Sequence, residues 1–347
     1  MRRTTILPSE RPPHQFIERS TGRVFTERLY GDSLVRWLYS EVRENAPALY
    51  RLALSSRLST ILGFLNYDLP FSGALTGGRR FLRDAGVDID ECTAERFNTM
   101  RKIFERKIRY WECRPMSDEP SVVVSPADSR MLVGSFNESS ALYIKGKFFD
   151  FDELLGSDKE LWLKAFAGGD FAIFRLTPEK YHYNHTPVAG VVKDFYEVSG
   201  GYHSCNPSAV ITIVTPYSKN MRAVTIIDTD VPGGTRIGLV AMIEVTALMI
   251  GEVVQCYSRE RYENEQPALP GMFLERGCPK SRYRPGSSTD VLIFQPGRIS
   301  FDEDLIVNRN RRDVQSRFSL GFGESLVETE VQVRSQIAKQ IHHKNHK

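Results

Sequence analysis

The sequence predicts an α+β chain, an N-terminal helical region followed by a β-rich domain. Three observations carry that reading. Apolar residues recur at helical spacing between residues 26 and 116. From about residue 120, short β-branched and aromatic runs alternate with Gly, Pro, Asn and Asp. The 347 residues are 41% hydrophobic and 26% charged, an ordinary globular composition with ample material for a core.

The elements follow in order. Residues 1–25 form a polar arm carrying Pro8, Pro12 and Pro13. Asp32 or Ser33 can cap a first helix, with Leu34, Val35, Trp37, Leu38 and Val42 on one face. Leu49 to Leu65 is a second apolar stretch, ended by Pro70. A third helix is expected over Ala94 to Ile108, its stripe made by Phe97, Met100, Ile103, Phe104 and Ile108. Arg96, Arg101, Lys102, Arg106 and Lys107 crowd its remaining surface. Such a face is either solvated or laid on anionic lipid, where each basic side chain contributes on the order of 1 kcal/mol.

The β-rich domain is expected over 117–330, after a boundary loop near Arg114 to Pro120. Strands are read at Val122–Ser125, Ala141–Ile144, Phe171–Arg175, Val210–Thr215, Ala223–Asp228, Ile237–Thr246, Val253–Tyr257 and Val291–Phe294. Residues 331–347 are read as a basic, solvated tail.

Bulk properties exclude several classes. A formal charge of +3 gives no argument for a nucleic-acid partner. No run of about 18 uninterrupted apolar residues occurs, and the best stretch, Ile237 to Val254, is broken by Glu244 and Glu252. The polar N-terminus lacks the apolar core of a secretory signal. The five cysteines are scattered without a Cys-x-x-Cys pair, which argues against a zinc ribbon or a disulfide framework. A reducing, cytoplasmic setting is expected, with peripheral membrane attachment left open.

Three segments carry chemistry. Gly286-Ser287-Ser288-Thr289 is a small-residue turn feeding an apolar strand, where a backbone can be cut without loss of fold. Val122-Val123-Val124-Ser125-Pro126-Ala127-Asp128 supplies a carboxylate. Tyr181-His182-Tyr183-Asn184-His185-Thr186-Pro187-Val188-Ala189-Gly190 supplies two imidazoles three residues apart. Two such histidines suit a metal, but no third ligand cluster accompanies them, so no metal is expected.

Together, from about Asn98 to Gly297, these segments resemble the phosphatidylserine decarboxylase family, with its V-S-P-x-D-G, Y-H-x-x-H-x-P-x-x-G and G-S-T segments. The resemblance implies a self-cleaving precursor. Ser288 is the nucleophile toward the preceding carbonyl, His185 the base and Asp128 the carboxylate that orients it, the logic of a serine-protease triad turned on its own backbone. Cleavage at Ser287-Ser288 leaves two chains and a pyruvoyl group derived from Ser288. That group forms an imine with a substrate amine and withdraws electrons as carbon dioxide leaves. His182 is implied in decarboxylation or reprotonation. A homodimer is likewise implied.

The match departs in places. Ser287 stands where the lipid enzymes usually have glycine, and Ser287 itself is an alternative nucleophile. Alignment on it puts the following strand out of step by one residue, which reverses its faces. The segment Gly277 to Pro285 is basic where the family's is acidic, and Ser129 follows Asp128 in place of glycine. The leading expectation is conversion of phosphatidylserine to phosphatidylethanolamine and carbon dioxide. The alternatives are a pyruvoyl-dependent decarboxylase of a free, aromatic or other, amino acid, and a noncatalytic lipid-binding relative.

Overall fold

The computed structural model describes residues 12–29, 45–46, 86–93, 100–136, 148–212, 215–247, 252–285 and 288–341. The first two expected helices, the strand at Ala141–Ile144 and residues Gly286 and Ser287 lie outside them.

The described strands are β1 (Gln15–Glu18), β2 (Val24–Thr26), β3 (Val122–Val124), β4 (Ser129–Ser135), β5 (Asp170–Leu176), β6 (Tyr183–His185), β7 (Gly190–Val198) and β8 (Arg222–Asp228). They continue with β9 (Leu239–Thr246), β10 (Val253–Gln255), β11 (Phe273–Leu274), β12 (Pro279–Tyr283), β13 (Ser288–Phe294), β14 (Ile299–Phe301), β15 (Glu328–Val331) and β16 (Gln336–Gln340). Ten form one sheet in the order β11-β7-β8-β9-β13-β5-β4-β15-β1-β2. Two three-stranded sheets, β10-β12-β6 and β14-β16-β3, complete the β framework.

Alternation along β13 sends its side chains to two different cores. Val291 and Ile293 join Phe171, Ile173, Ile243 and residues of the short helices, among them Leu154, Phe166, Val210 and Phe318. Leu292 and Phe294 join Ala172, Phe174, Met242 and residues of the small sheets, among them Val123, Ile299 and Ile337. Each such side chain taken from water contributes about 1.5–3 kcal/mol. The large sheet is therefore covered by helices on one face and by small sheets on the other. Ser288 opens β13, paired with Leu176 of β5 and Thr246 of β9.

Four expectations change. The polar arm contains β1 and β2, because Phe16 and Ile17 are buried and β1 pairs in parallel with β15. The basic tail begins with β16, the middle strand of its sheet, because Ile337 and Ala338 alternate inward through a bulge. The described residues of the expected strand Val210–Thr215 form no strand, and residues 213–214 lie outside the described residues. Pro207–Val210 is helical, since the Asn206 side chain accepts from the Ser208 amide at 2.8 Å and Pro207 suits a first turn. The described part of the third helix, Met100–Phe104, ends short of Ile108, which bridges to Cys92. Arg106, expected on a solvated face, is buried and donates to the Ile103 and Glu179 carbonyls.

Candidate active site

Asp128 sits in the turn between β3 and β4 and is buried. Its carboxylate is fully engaged. Arg114 donates from Nε to Oδ1 at 3.0 Å and from Nη2 to Oδ2 at 2.7 Å, and the Val333 amide donates to Oδ1 at 2.8 Å. Burial alone would raise its pKa, but the Arg114 charge and these hydrogen bonds hold it below the ordinary value. Arg114 is itself shared with Glu91.

His185 closes β6 and is wholly buried. Its Nδ1 lies 2.8 Å from the Gly277 carbonyl and its Nε2 lies 3.0 Å from the Tyr181 hydroxyl. A carbonyl can only accept, so Nδ1 carries the proton and Nε2 presents its lone pair. Gly277 adopts φ +75°, and a Cβ there would lie 2.4 Å from Met116 Sδ. Glycine is thus what lets this carbonyl face the imidazole. Burial pushes the His185 pKa down to about 3, so the ring is neutral.

His182 precedes β6 and is also fully buried. It stacks on Phe104 with centroids 3.6 Å apart. Neither ring nitrogen has a hydrogen-bond partner among the described residues. Burial, and then the Arg106 charge, hold its pKa well below the ordinary value.

Ser288 is 0% exposed, and its Oγ has no hydrogen-bond partner among the described residues. Two residues on, Asp290 is equally buried on the same face, taking one bond from the Tyr283 hydroxyl to Oδ1 at 2.7 Å. Its Oδ2 has no partner among the described residues. Beside it on β9, Glu244 is paired with a fully buried Lys280 at 2.7 Å, and accepts further bonds from Asn184, Ser281 and Gln255.

The expected residues share one region without forming a hydrogen-bonded triad. The His185 amide donates to the Pro126 carbonyl at 2.7 Å, joining the two motifs. Ala127 and Leu176, neighbours in sequence of Asp128 and in register of Ser288, pack in one cluster with Val253 and Tyr283. The Tyr283 amide donates to the His182 carbonyl, and its hydroxyl also reaches the Thr289 carbonyl, tying the histidine segment to β13. Yet no hydrogen bond joins Asp128 to His185, or His185 to Ser288; Asp128 is held by Arg114 and the Val333 amide, and His185 by Gly277 and Tyr181.

Sequence reasoning missed five residues of this region. Arg114 had a signal in its place ahead of Pro115, but nothing in the sequence aimed it at Asp128. Tyr181 had one in its motif. Glu244 read as a charge interrupting an apolar run, and Lys280 as part of a basic loop, although each neutralises the other inside the protein. Asp290 gave none.

The family model described as phosphatidylserine decarboxylase matches residues 100–327. "Phosphatidylserine decarboxylase proenzyme" of Chlamydia trachomatis serovar L2 is 30% identical over 313 residues, 88% of this chain and 95% of that protein. The protein of the same name from Fusobacterium nucleatum is 27% identical over 88% of this chain and 95% of its own length. "Phosphatidylserine decarboxylase proenzyme 3" of Schizosaccharomyces pombe is 29% identical over 84% of this chain, which spans only 28% of that longer protein.

Proposed function

This chain belongs to the phosphatidylserine decarboxylase family, and from that premise we propose that it is a self-cleaving, pyruvoyl-dependent carboxy-lyase that converts phosphatidylserine to phosphatidylethanolamine and carbon dioxide. One observation carries the reading on this chain's own residues. A serine hydroxyl stands at the head of a central strand, wholly buried and without a partner among the described residues. Leaving such a group unpaired costs about 1–3 kcal/mol, which a fold has reason to bear where the hydroxyl must react. His182, whose carbonyl is tied through Tyr283 to β13, also has ring nitrogens without hydrogen-bond partners among the described residues.

Ser288 would attack the carbonyl of Ser287. His185, neutral and with its lone pair on Nε2, suits the base once the Tyr181 hydroxyl that faces this atom gives way to Ser288. Asp128, held ionised by Arg114, acts on His185 through its field; the negative charge favours the imidazolium formed on proton uptake. The product at residue 288 is a pyruvoyl ketone, which supplies an electron sink for a substrate amine losing carbon dioxide. His182, neutral and stacked on Phe104, is proposed to hold or deliver a proton beside residue 288. The name proenzyme carried by the relatives accords with two chains arising from one precursor. No helix among the described residues is long and apolar enough to cross a membrane. Access to a lipid substrate is therefore proposed to be from the surface of an anionic bilayer.

Intact mass under denaturing conditions tests the reaction class. Fragments 1–287 and 288–347, the second with a pyruvoyl-blocked end, are expected. A fragment starting at residue 287 moves the nucleophile to Ser287, and a single uncut chain removes the proposal. Turnover of phosphatidylserine in detergent micelles, against a panel of free amino acids, then tests the substrate.

A further inference from the structure

We propose that Asp290 is the hydrogen-bond donor that assists the leaving carboxylate when the precursor is cut, an inference that rests on Ser288 as the nucleophile. Ser288 and Asp290 lie two residues apart on one strand and so point to the same face, about 7 Å apart along the backbone. Both side chains are fully buried on that face, and both end in atoms without partners among the described residues, Ser288 Oγ and Asp290 Oδ2. The rest of the acid is fixed. Tyr283 holds Oδ1, and the adjacent Glu244 is neutralised by Lys280. Burial, and then the nearby Glu244 charge, raise the Asp290 pKa well above the ordinary value. Asp290 is therefore a neutral acid with a proton to offer, and a poor base.

The step it suits is elimination. Attack by Oγ moves the Ser287 acyl group from nitrogen to oxygen, giving an ester and a free amine on residue 288. A neutral histidine of the site then takes the Cα proton of residue 288. The Cα–Cβ double bond forms, the Cβ–Oγ bond breaks, and its electron pair leaves on Oγ as part of the Ser287 carboxylate. Charge develops on the atom that left the face Asp290 shares, and Oδ2–H donates to it while the proton stays on Asp290. A donor aimed where charge develops acts on the transition state rather than the ground state.

Full-length Asp290→Val and Asp290→Asn are compared with the unaltered chain. Samples taken during processing are denatured with and without neutral hydroxylamine, and the fragments are weighed and sequenced from the N-terminus. Hydroxylamine cuts the ester and releases a 288–347 fragment with a free Ser288 amine, whereas completed processing gives a blocked fragment. Asp290→Val should accumulate the hydroxylamine-cut form and deliver the blocked fragment at least about tenfold more slowly, equivalent to about 1.4 kcal/mol. Asp290→Asn keeps an N–H donor and should stay within about threefold of the unaltered chain, a difference below 1 kcal/mol. A blocked fragment at the unaltered rate from Asp290→Val overturns the assignment. So does a hydroxylamine-resistant, uncut Asp290→Val chain with a native melt, or equal impairment of both variants. If the unaltered chain itself gives no fragment at residue 288, it is the proposed function that fails.

Discussion

Two faces of the same strands hold charged and polar groups in opposite ways. On β5, Arg175 points to one face and Leu176 to the other; on β13, Thr289 and Ser288 divide likewise. On the Arg175 side each buried carboxylate has its cation, although Arg130 Nε has no hydrogen-bond partner among the described residues. Arg175 donates to Glu27 and Glu328, Glu328 also meets His14 Nε2 at 2.8 Å, and Arg130 pairs with Glu27. His14, Glu27 and Glu328 bring their ligand atoms within 4.8 Å of one another, but the Arg175 guanidinium already fills the cationic position among them. On the Ser288 side, Ser288 Oγ and Asp290 Oδ2 are buried without partners among the described residues. A polar interior whose opposite charges are paired fixes structure, here by fastening β1 and the segment carrying Glu27 to the central sheet. One that leaves oxygens open is poised for chemistry, since unpaired buried groups persist only where something else requires them.

The sharpest way to break this comparison is Ser288→Ala. On the open face nothing is lost but an unpartnered hydroxyl, so the chain should fold and melt as before while cleavage disappears entirely. Denaturing gels and a thermal melt report both. Fragments at the same bond from the alanine variant would show that the hydroxyl was not poised at all.

Arg175→Met probes the closed face, next in size. It leaves Glu27 and Glu328 buried without their shared cation, and removing one member of such a pair costs about 3–5 kcal/mol. Urea unfolding measures it. The folded fraction should still cut itself, because Arg175 and Ser288 face apart. A loss under about 1 kcal/mol, the level of an exposed ion pair, would demote the network to decoration; loss of cutting in the folded fraction would mean that the two faces are not separate.

The sequence showed the open face better than the closed one, for a physical reason. The residues proposed to react lie in short local motifs, so Asp128, His182, His185 and Ser288 stand out by spacing and resemblance. The inner strands β5, β8, β9 and β13 were legible because burial on both faces makes them nearly continuous apolar runs. The closed network joins His14, Glu27, Arg130, Arg175 and Glu328, partners as far apart as 314 residues, and no local pattern announces such pairing. Strands β1 and β16 were hidden for the same reason: each is half polar and becomes a strand only through its partner. Pro207–Val210 failed differently, because β-branched residues at 210–215 outweighed the Asn206-Pro207 start signal just upstream.

Acid should separate the two faces by their pH windows, with the smallest effect per step. His185 titrates at about 3 in the fold against an ordinary 6.5, and His182 is also well below 6.5. Both are neutral when folded, while the unfolded chain binds their protons below about pH 6.5, so stability falls as pH drops from there. Glu27 is lowered from 4.5 to about 2, and Glu328 is lowered too, both by Arg175 against the opposing effect of burial. Their contribution is complete above about pH 4.5 and is lost as pH falls through the folded values. Each proton contributes at most about 1.4 kcal/mol per pH unit. Urea unfolding between pH 6.5 and 5 should therefore show a slope approaching one proton, the two taken up by the unfolded histidines less the one that folded Asp290 retains, reduced by about one in His185→Gln and by about one in His182→Gln, with the decline below pH 4.5 kept in both. A slope unchanged by either substitution would mean that these rings are not held neutral in the fold. A decline below pH 4.5 that vanished with them would place the carboxylates and the histidines in one titrating unit rather than on two independent faces.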